Sequence, residues 1–300
     1  MAATEAKYQY PEHLIETYQL EQSLDDPKLR IFDCTVNVTK NPDPEQAQRI
    51  PFVYQSGRSN YEQAHIPNAG FIDILDKLSD RSHNLPLMLP SEKQIVDSMS
   101  AYGINDDTRV VLYSASETNW ATRVWWMLHA LGFDNVAILN GGWTKWLKEK
   151  RAVSNQACSY VPGQFTLRSR PGAFVDKDDV LAATLDNDAL IINALPSPIY
   201  KGTSDITFGR KGRISNSSNV PFLALHNPDT ECYLPASQLQ KKFEEVGVGI
   251  AERIIFYCGG GIAASNNAFV LRLLGYENVA VYDGSMLEWG NDASLPMEMG

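Results

Sequence analysis

The residues of this chain best placed to do chemistry lie in Arg253–Asn267, RIIFYCGGGIAASNN. An apolar run ends in Cys258, then come Gly259, Gly260 and Gly261, and Ile262 and Ala263 open a stretch with helical spacing. Glycine has no Cβ, so such a turn lets the backbone take positive φ and approach a ligand closely. A strand turning tightly into a helix converges several N–H groups on one concavity, which favours negative charge. A cysteine at that focus is expected to ionise below its usual pKa of about 8.5 and to act as an exposed nucleophilic thiolate. A free cysteine is often merely buried. Three consecutive glycines at a strand-to-helix junction predict a reactive one here.

Two other chemistries fit parts of the same stretch. Gly259-x-Gly261-x-x-Ala264 satisfies the dinucleotide fingerprint, and Asp283 closes the next apolar run 19 residues on, where a ribose-binding acid belongs. Only 17 residues follow Asp283, whereas a dinucleotide fold calls for further strands and helices or a circularly shifted order. A cysteine phosphatase needs an arginine six residues after its nucleophile to clamp phosphate bidentately. That position is Ala264.

The elements that position this stretch occur twice. GINDDTRVVLYS (Gly103–Ser114) aligns with GVGIAERIIFYC (Gly247–Cys258) at a spacing of 144 residues. LGFDNVAILNGGWTKW (Leu131–Trp146) aligns with LGYENVAVYDGSMLEW (Leu274–Trp289) at 143, and HIPNAGFI (His65–Ile72) echoes RISNSSNV (Arg213–Val220). Blocks recurring in one order imply duplicated domains. Within each copy, short apolar runs (Arg30–Cys34, Val110–Tyr113, Val136–Leu139; then Leu190–Asn193, Ile254–Tyr257, Val279–Tyr282) predict buried parallel strands. Ser91–Tyr102, Thr118–Leu131, Pro235–Val246 and Ala263–Leu274 have helical spacing. The expected fold class is therefore α/β, two duplicated domains each with a mostly parallel sheet flanked by helices. Domains are placed at 1–155 and 173–300, with 156–172, inside a Ser-, Pro- and Gly-bearing stretch of weak periodicity, as linker. In the first copy Ser114 takes the place of Cys258, and the glycine-free ASETNW follows it, so only the second half is armed.

Composition narrows the function classes. The chain has 300 residues, 44% of them hydrophobic, and a formal charge of −10. That balance argues against nucleic acid or an anionic membrane as the main partner. No apolar run approaches the ~18 residues of a membrane span, and the first residues lack the apolar core of a secretory signal. Four scattered cysteines give neither a disulfide framework nor a zinc pair, so a cytoplasmic location and no metal are expected. Cys34, Cys158 and Cys232 have no glycine loop and are expected to be inert.

Over roughly Arg30 to Trp289 the chain resembles the tandem-domain rhodanese family, the thiosulfate and 3-mercaptopyruvate sulfurtransferases. The resemblance rests on Tyr61-x3-His65-Ile66-Pro67-Asn68-Ala69, on LPLMLPSE (Leu85–Glu92), on RVWWM (Arg123–Met127), and on Val279-x2-Tyr282-Asp283-Gly284-Ser285-x2-Glu288-Trp289. Asn68 stands where the family has glycine, and Met286 where it has an aromatic residue. The six-residue loop Cys258–Ala263 has the length associated with sulfur rather than phosphate.

The resemblance implies an inactive first domain, a catalytic second domain and a cleft between them. Cys258 would attack the outer sulfur of a small donor and hold a persulfide, stabilised by the N–H groups of Gly259 to Ala263. No metal or organic cofactor is implied. The partners are a small sulfur donor and a thiol or cyanide-like acceptor, with a thioredoxin-like reductant as a further candidate. A rhodanese-like binding or regulatory module that moves no sulfur is the alternative. The loop carries neither the cations of thiosulfate-preferring members nor the hydroxyl of mercaptopyruvate-preferring ones, and the family's substrate arginine falls on Ile199. Arg210, in GRKGR, is the candidate substitute cation, and His65 a candidate for proton transfer near the cleft. Arg123 is expected in a buried-edge ion pair, and Trp120, Trp125 and Trp126 in the core.

Overall fold

In a computed structural model, which describes residues 7–300, the repeat is visible as two sheets of one topology. The first sheet orders its strands Leu14–Ile15, Val136–Leu139, Arg109–Tyr113, Leu29–Asp33, Ala69–Phe71, every neighbouring pair parallel. The second orders Phe174–Val175, Val279–Tyr282, Arg253–Tyr257, Ala189–Asn193, Ser217–Asn219, again all parallel. Strands covered on both faces must be apolar throughout. Accordingly Val110–Tyr113 and Ile254–Tyr257 are buried without alternation. The expected α/β class and duplication are borne out.

The three central strands of each sheet lie within one residue of the sequence expectation, and the helices Glu92–Ala101, Asn119–Ala130, Ala236–Glu244 and Ile262–Leu274 within two at either end. Ser91 caps the start of the first of these helices by accepting from the Gln94 N–H at 3.3 Å. The short edge strands and an antiparallel ribbon, Val36–Lys40 with Phe52–Ser56, were not expected. Two- and three-residue strands carry no period, and the ribbon's partners are separated by a polar loop.

Two equivalent helices join the domains. Asn119–Ala130 and Ile262–Leu274 pack side by side, and Trp125 meets Phe269 edge-on at 4.9 Å between ring centroids. Trp120, Trp125 and Trp126 are at most 2% exposed; Trp125 and Trp126 belong to the core as expected, whereas Trp120 also lines a cavity between the domains. The apolar core is continuous from one domain into the other. Residues 155–172 hold no helix or strand and strap the first domain. Gly163 N–H bonds Ser100 O, Arg168 N–H bonds Leu131 O, and Tyr160 donates to Asn68 O. Asn68 takes φ +66°, which asparagine tolerates better than most residues, so glycine is dispensable there.

Candidate active site

Cys258, 2% exposed rather than the exposed thiol expected, leaves the carboxyl end of the central strand Arg253–Tyr257, where the chain order across the sheet reverses. Ligands of open α/β sheets bind at this topological switch point. The loop Cys258–Gly261 then feeds the helix Ile262–Leu274.

Each glycine has its own physical reason. Gly261 alone takes positive φ, +76°, to start the helix. A Cβ on Gly259 would lie 2.6 Å from the Phe208 ring, and one on Gly260 would lie 2.9 Å from Leu287 Cδ1. Close packing, not backbone freedom, selects glycine at those two positions.

The loop is held from beneath by Ser285, a residue that sequence reasoning quoted within a signature but gave no role. Its Oγ accepts from the N–H groups of Cys258 and Gly261, both at 3.1 Å, and donates to Tyr282 O at 2.7 Å. The Met286 N–H bonds Cys258 O at 3.1 Å, and the Leu287 N–H bonds Gly259 O at 2.8 Å. Among the described residues, the N–H groups of Gly259, Gly260, Ile262 and Ala263 find no protein acceptor. Helix N-termini leave such donors for a ligand.

The equivalent loop of the first domain is bonded differently. The Ala115 N–H donates to Thr35 Oγ1 at 2.7 Å, and the Ser116 N–H to Ser114 Oγ at 3.1 Å. Side chains there consume the donors that the glycine loop leaves open. Ser114→Cys is therefore expected to create no second site: sulfur loading should stay at one per chain by intact mass, and two sulfurs per chain would refute this reading of the loops.

Above Cys258 lies a cavity of about 490 Å³ between the domains, walled by Cys258, Gly259, Gly260, Ile262 and Ala263 on one side and by the antiparallel ribbon on the other. Tyr54 of the ribbon lines it. Burial, with the Cys258 sulfur adding to it, pushes the Tyr54 phenol well above its ordinary value, so it stays a neutral O–H donor.

Asp283 and Arg123 lock the base of the site across the domain boundary. Arg123 is fully buried, and its Nη2 meets Asp283 Oδ1 at 2.6 Å and Leu87 O at 3.0 Å. Asp283 Oδ2 also accepts from the Leu89 N–H at 2.6 Å. The expected ion pair is thus interior, and it occupies the carboxylate that a dinucleotide would need for its ribose. A Cβ on Gly261 would approach Arg123 Nη1 to 2.9 Å, so the pair also backs the loop.

Two candidates are not brought to the cavity. Arg210 donates through Nη1 to Leu295 O and through Nη2 to Trp289 O, both at 3.0 Å, and through Nη2 also to Asp292 O. A guanidinium committed to these carbonyls closes off the C-terminal segment and has no donor directed to substrate. Arg210→Ala is accordingly expected to lower stability by about 1–3 kcal/mol while leaving KM for the sulfur donor within about twofold. Urea unfolding and steady-state kinetics check the two halves. His65 is fully buried, stacked on Tyr61 at 4.0 Å, with Nδ1 facing Tyr61 O at 2.6 Å and Nε2 facing Gln156 O at 3.0 Å. It ties the strap to the first domain and has no nitrogen left for proton transfer in the cleft.

The other cysteines form no disulfide and do not line this cavity. Burial pushes the thiols of Cys34 and Cys158 up, as expected of inert residues.

Comparison with known proteins agrees with this geometry. Residues 16–149 and 178–292 match the rhodanese-like domain. The chain is similar to the 3-mercaptopyruvate sulfurtransferase of Escherichia coli, at 32% identity over 93% of this chain and 95% of that protein. It is also similar to the thiosulfate sulfurtransferase of Cricetulus griseus, at 30% identity over 89% of this chain and 86% of the relative. The crystal structure of SseA from Escherichia coli superposes with a TM-score of 0.76 at 30% identity, covering 91% of this chain and 98% of that one. The chain belongs to the rhodanese family, as a sulfurtransferase with two rhodanese-like domains in tandem.

Proposed function

We propose that Cys258 carries sulfane sulfur as a persulfide, taken from a small donor of the thiosulfate or 3-mercaptopyruvate kind and passed to a thiophilic acceptor. The observation that carries this reading is the cysteine seated at the mouth of a helix whose first N–H groups have no protein acceptor.

With thiosulfate, the Cys258 thiolate attacks the outer sulfur, the S–S bond breaks, and sulfite leaves with the electron pair. With 3-mercaptopyruvate, the C–S bond breaks instead, and the carbon receives the thiol proton as pyruvate forms. Either way Cys258 is left as a persulfide anion, and the charge stays within reach of the open N–H groups throughout. Donors fixed before the reaction need no reorganisation as charge moves. In the second half, an acceptor nucleophile attacks the outer sulfur and Cys258 Sγ departs as thiolate. Splitting one transfer into two steps is the benefit of a covalent intermediate.

A thiol or cyanide serves as acceptor in this scheme, and a thioredoxin-like dithiol is a further partner of suitable chemistry. Four unpaired cysteines suit a reducing, cytoplasmic compartment. Among the described residues no helix is long and apolar enough to cross a membrane. The alternative, a module that binds without moving sulfur, has no use for an open set of donors around a cysteine.

Double-reciprocal plots against donor at several acceptor concentrations should be parallel, as a two-step covalent exchange requires. Intersecting lines would show a ternary complex and overturn the persulfide reading.

A further inference from the structure

We infer that the cavity over Cys258 is built for an acceptor thiol with an apolar body, aryl or branched alkyl, rather than for a small polar thiol. The inference deepens the persulfide reading and rests on it for the chemistry of transfer.

The walls decide the class. Phe52, Trp120, Leu195, Ile199, Phe208 and Phe222 present hydrocarbon from both domains. Among the described residues, Lys40 and Glu117 are the charged side chains lining the cavity, and their charges cancel. Part of Glu117 is engaged already, accepting from Asn119 Nδ2 at 3.0 Å. Away from the loop N–H groups and Tyr54, a polar group buried against such walls loses water and gains little in exchange.

Size points the same way. About 490 Å³ falls in the range, roughly 300–1,000 Å³, of pockets that enclose an organic molecule. Thiosulfate has five heavy atoms, so it leaves most of the wall uncovered. The mouth is apolar too. Leu223 is 57% exposed and Val38 42% exposed, facing the cavity from the two domains. Exposed hydrocarbon gathered around an opening marks a binding surface.

The step balances without a further reagent. The thiolate R–S⁻ attacks the outer sulfur of protonated Cys258–S–SH, a new S–S bond forms, and the old one breaks with its electron pair on Cys258 Sγ. The products are R–S–SH and the Cys258 thiolate, and no electrons are gained or lost overall.

The test compares phenylmethanethiol with 2-mercaptoethanol, two alkyl thiols of similar acidity, in single-turnover discharge of sulfur-loaded protein followed by intact mass. Phenylmethanethiol should half-saturate at a tenfold or more lower concentration. Leu223→Asp, at an exposed position that tolerates charge, should close most of that gap, and Ile199→Arg should narrow it. Equal half-saturation, or discharge only to a protein dithiol, overturns the inference while leaving the persulfide reading intact. Binding of the unreactive phenylmethanol to unloaded protein, by ligand-observed NMR, decides the cavity's preference independently of loading. Saturable binding weakened by Leu223→Asp supports the inference, and its absence at millimolar concentration overturns it. If no donor loads the protein yet phenylmethanol binds, the persulfide reading alone fails.

Discussion

Cys258→Ser is expected to abolish sulfur transfer, with turnover falling at least about a thousandfold, while Cys34→Ser, Cys158→Ser and Cys232→Ser each keep most of it. A serine hydroxyl in that place is protonated near neutrality and attacks sulfur poorly, and the loop's open donors cannot substitute for the missing nucleophile. The three other cysteines lie outside the cavity, and Cys34 is fully buried. Release of pyruvate or sulfite with an excess of acceptor measures the effect. Comparable turnover in Cys258→Ser, or loss of it in one of the other three variants with folding intact, would assign the chemistry elsewhere.

The second large effect concerns the domain boundary. Asp283→Ala leaves the Arg123 guanidinium charged, fully buried and without its carboxylate. Breaking one partner of a buried pair costs about 3–5 kcal/mol, because the survivor keeps its desolvation penalty. The same change removes the acceptor of the Leu89 N–H and the support behind Gly261, so sulfur transfer should fall along with stability. Replacing both partners, Arg123→Met with Asp283→Leu, should recover much of the stability, since hydrocarbon of similar volume is often no worse than the pair. Urea denaturation of the parent, the two single variants and the double variant gives the cycle. A single variant that loses less than about 1 kcal/mol would show that the pair does not hold the domains together.

How much of this was legible beforehand depends on what each residue interacts with. Strands such as Ile254–Tyr257 are apolar throughout because both sheet faces are covered, and that pattern is local. The Cys-Gly-Gly-Gly run is local too, and so is its replacement by Ser114 and a glycine-free loop. Ser285 was quoted within a signature, but its role was hidden because the fold makes it. Its Oγ reaches back 27 residues to the Cys258 N–H, and a serine in a turn gives no sign of that. Arg210 misled for the converse reason: a basic cluster in a loop looks available for anions, and only the fold brings the carbonyls of Trp289, Asp292 and Leu295 to its guanidinium. The ribbon that closes the cavity was hidden in the same way, since Val36–Lys40 and Phe52–Ser56 make sense only opposite each other.

The persulfide itself is the most direct object of test. Parent protein incubated with thiosulfate or 3-mercaptopyruvate, freed of donor and digested without reductant, should show one added sulfur per chain, carried by the peptide containing Cys258 and released when a thiol acceptor is added. No added sulfur with either donor, or sulfur mapped to Cys34, Cys158 or Cys232, would contradict the account.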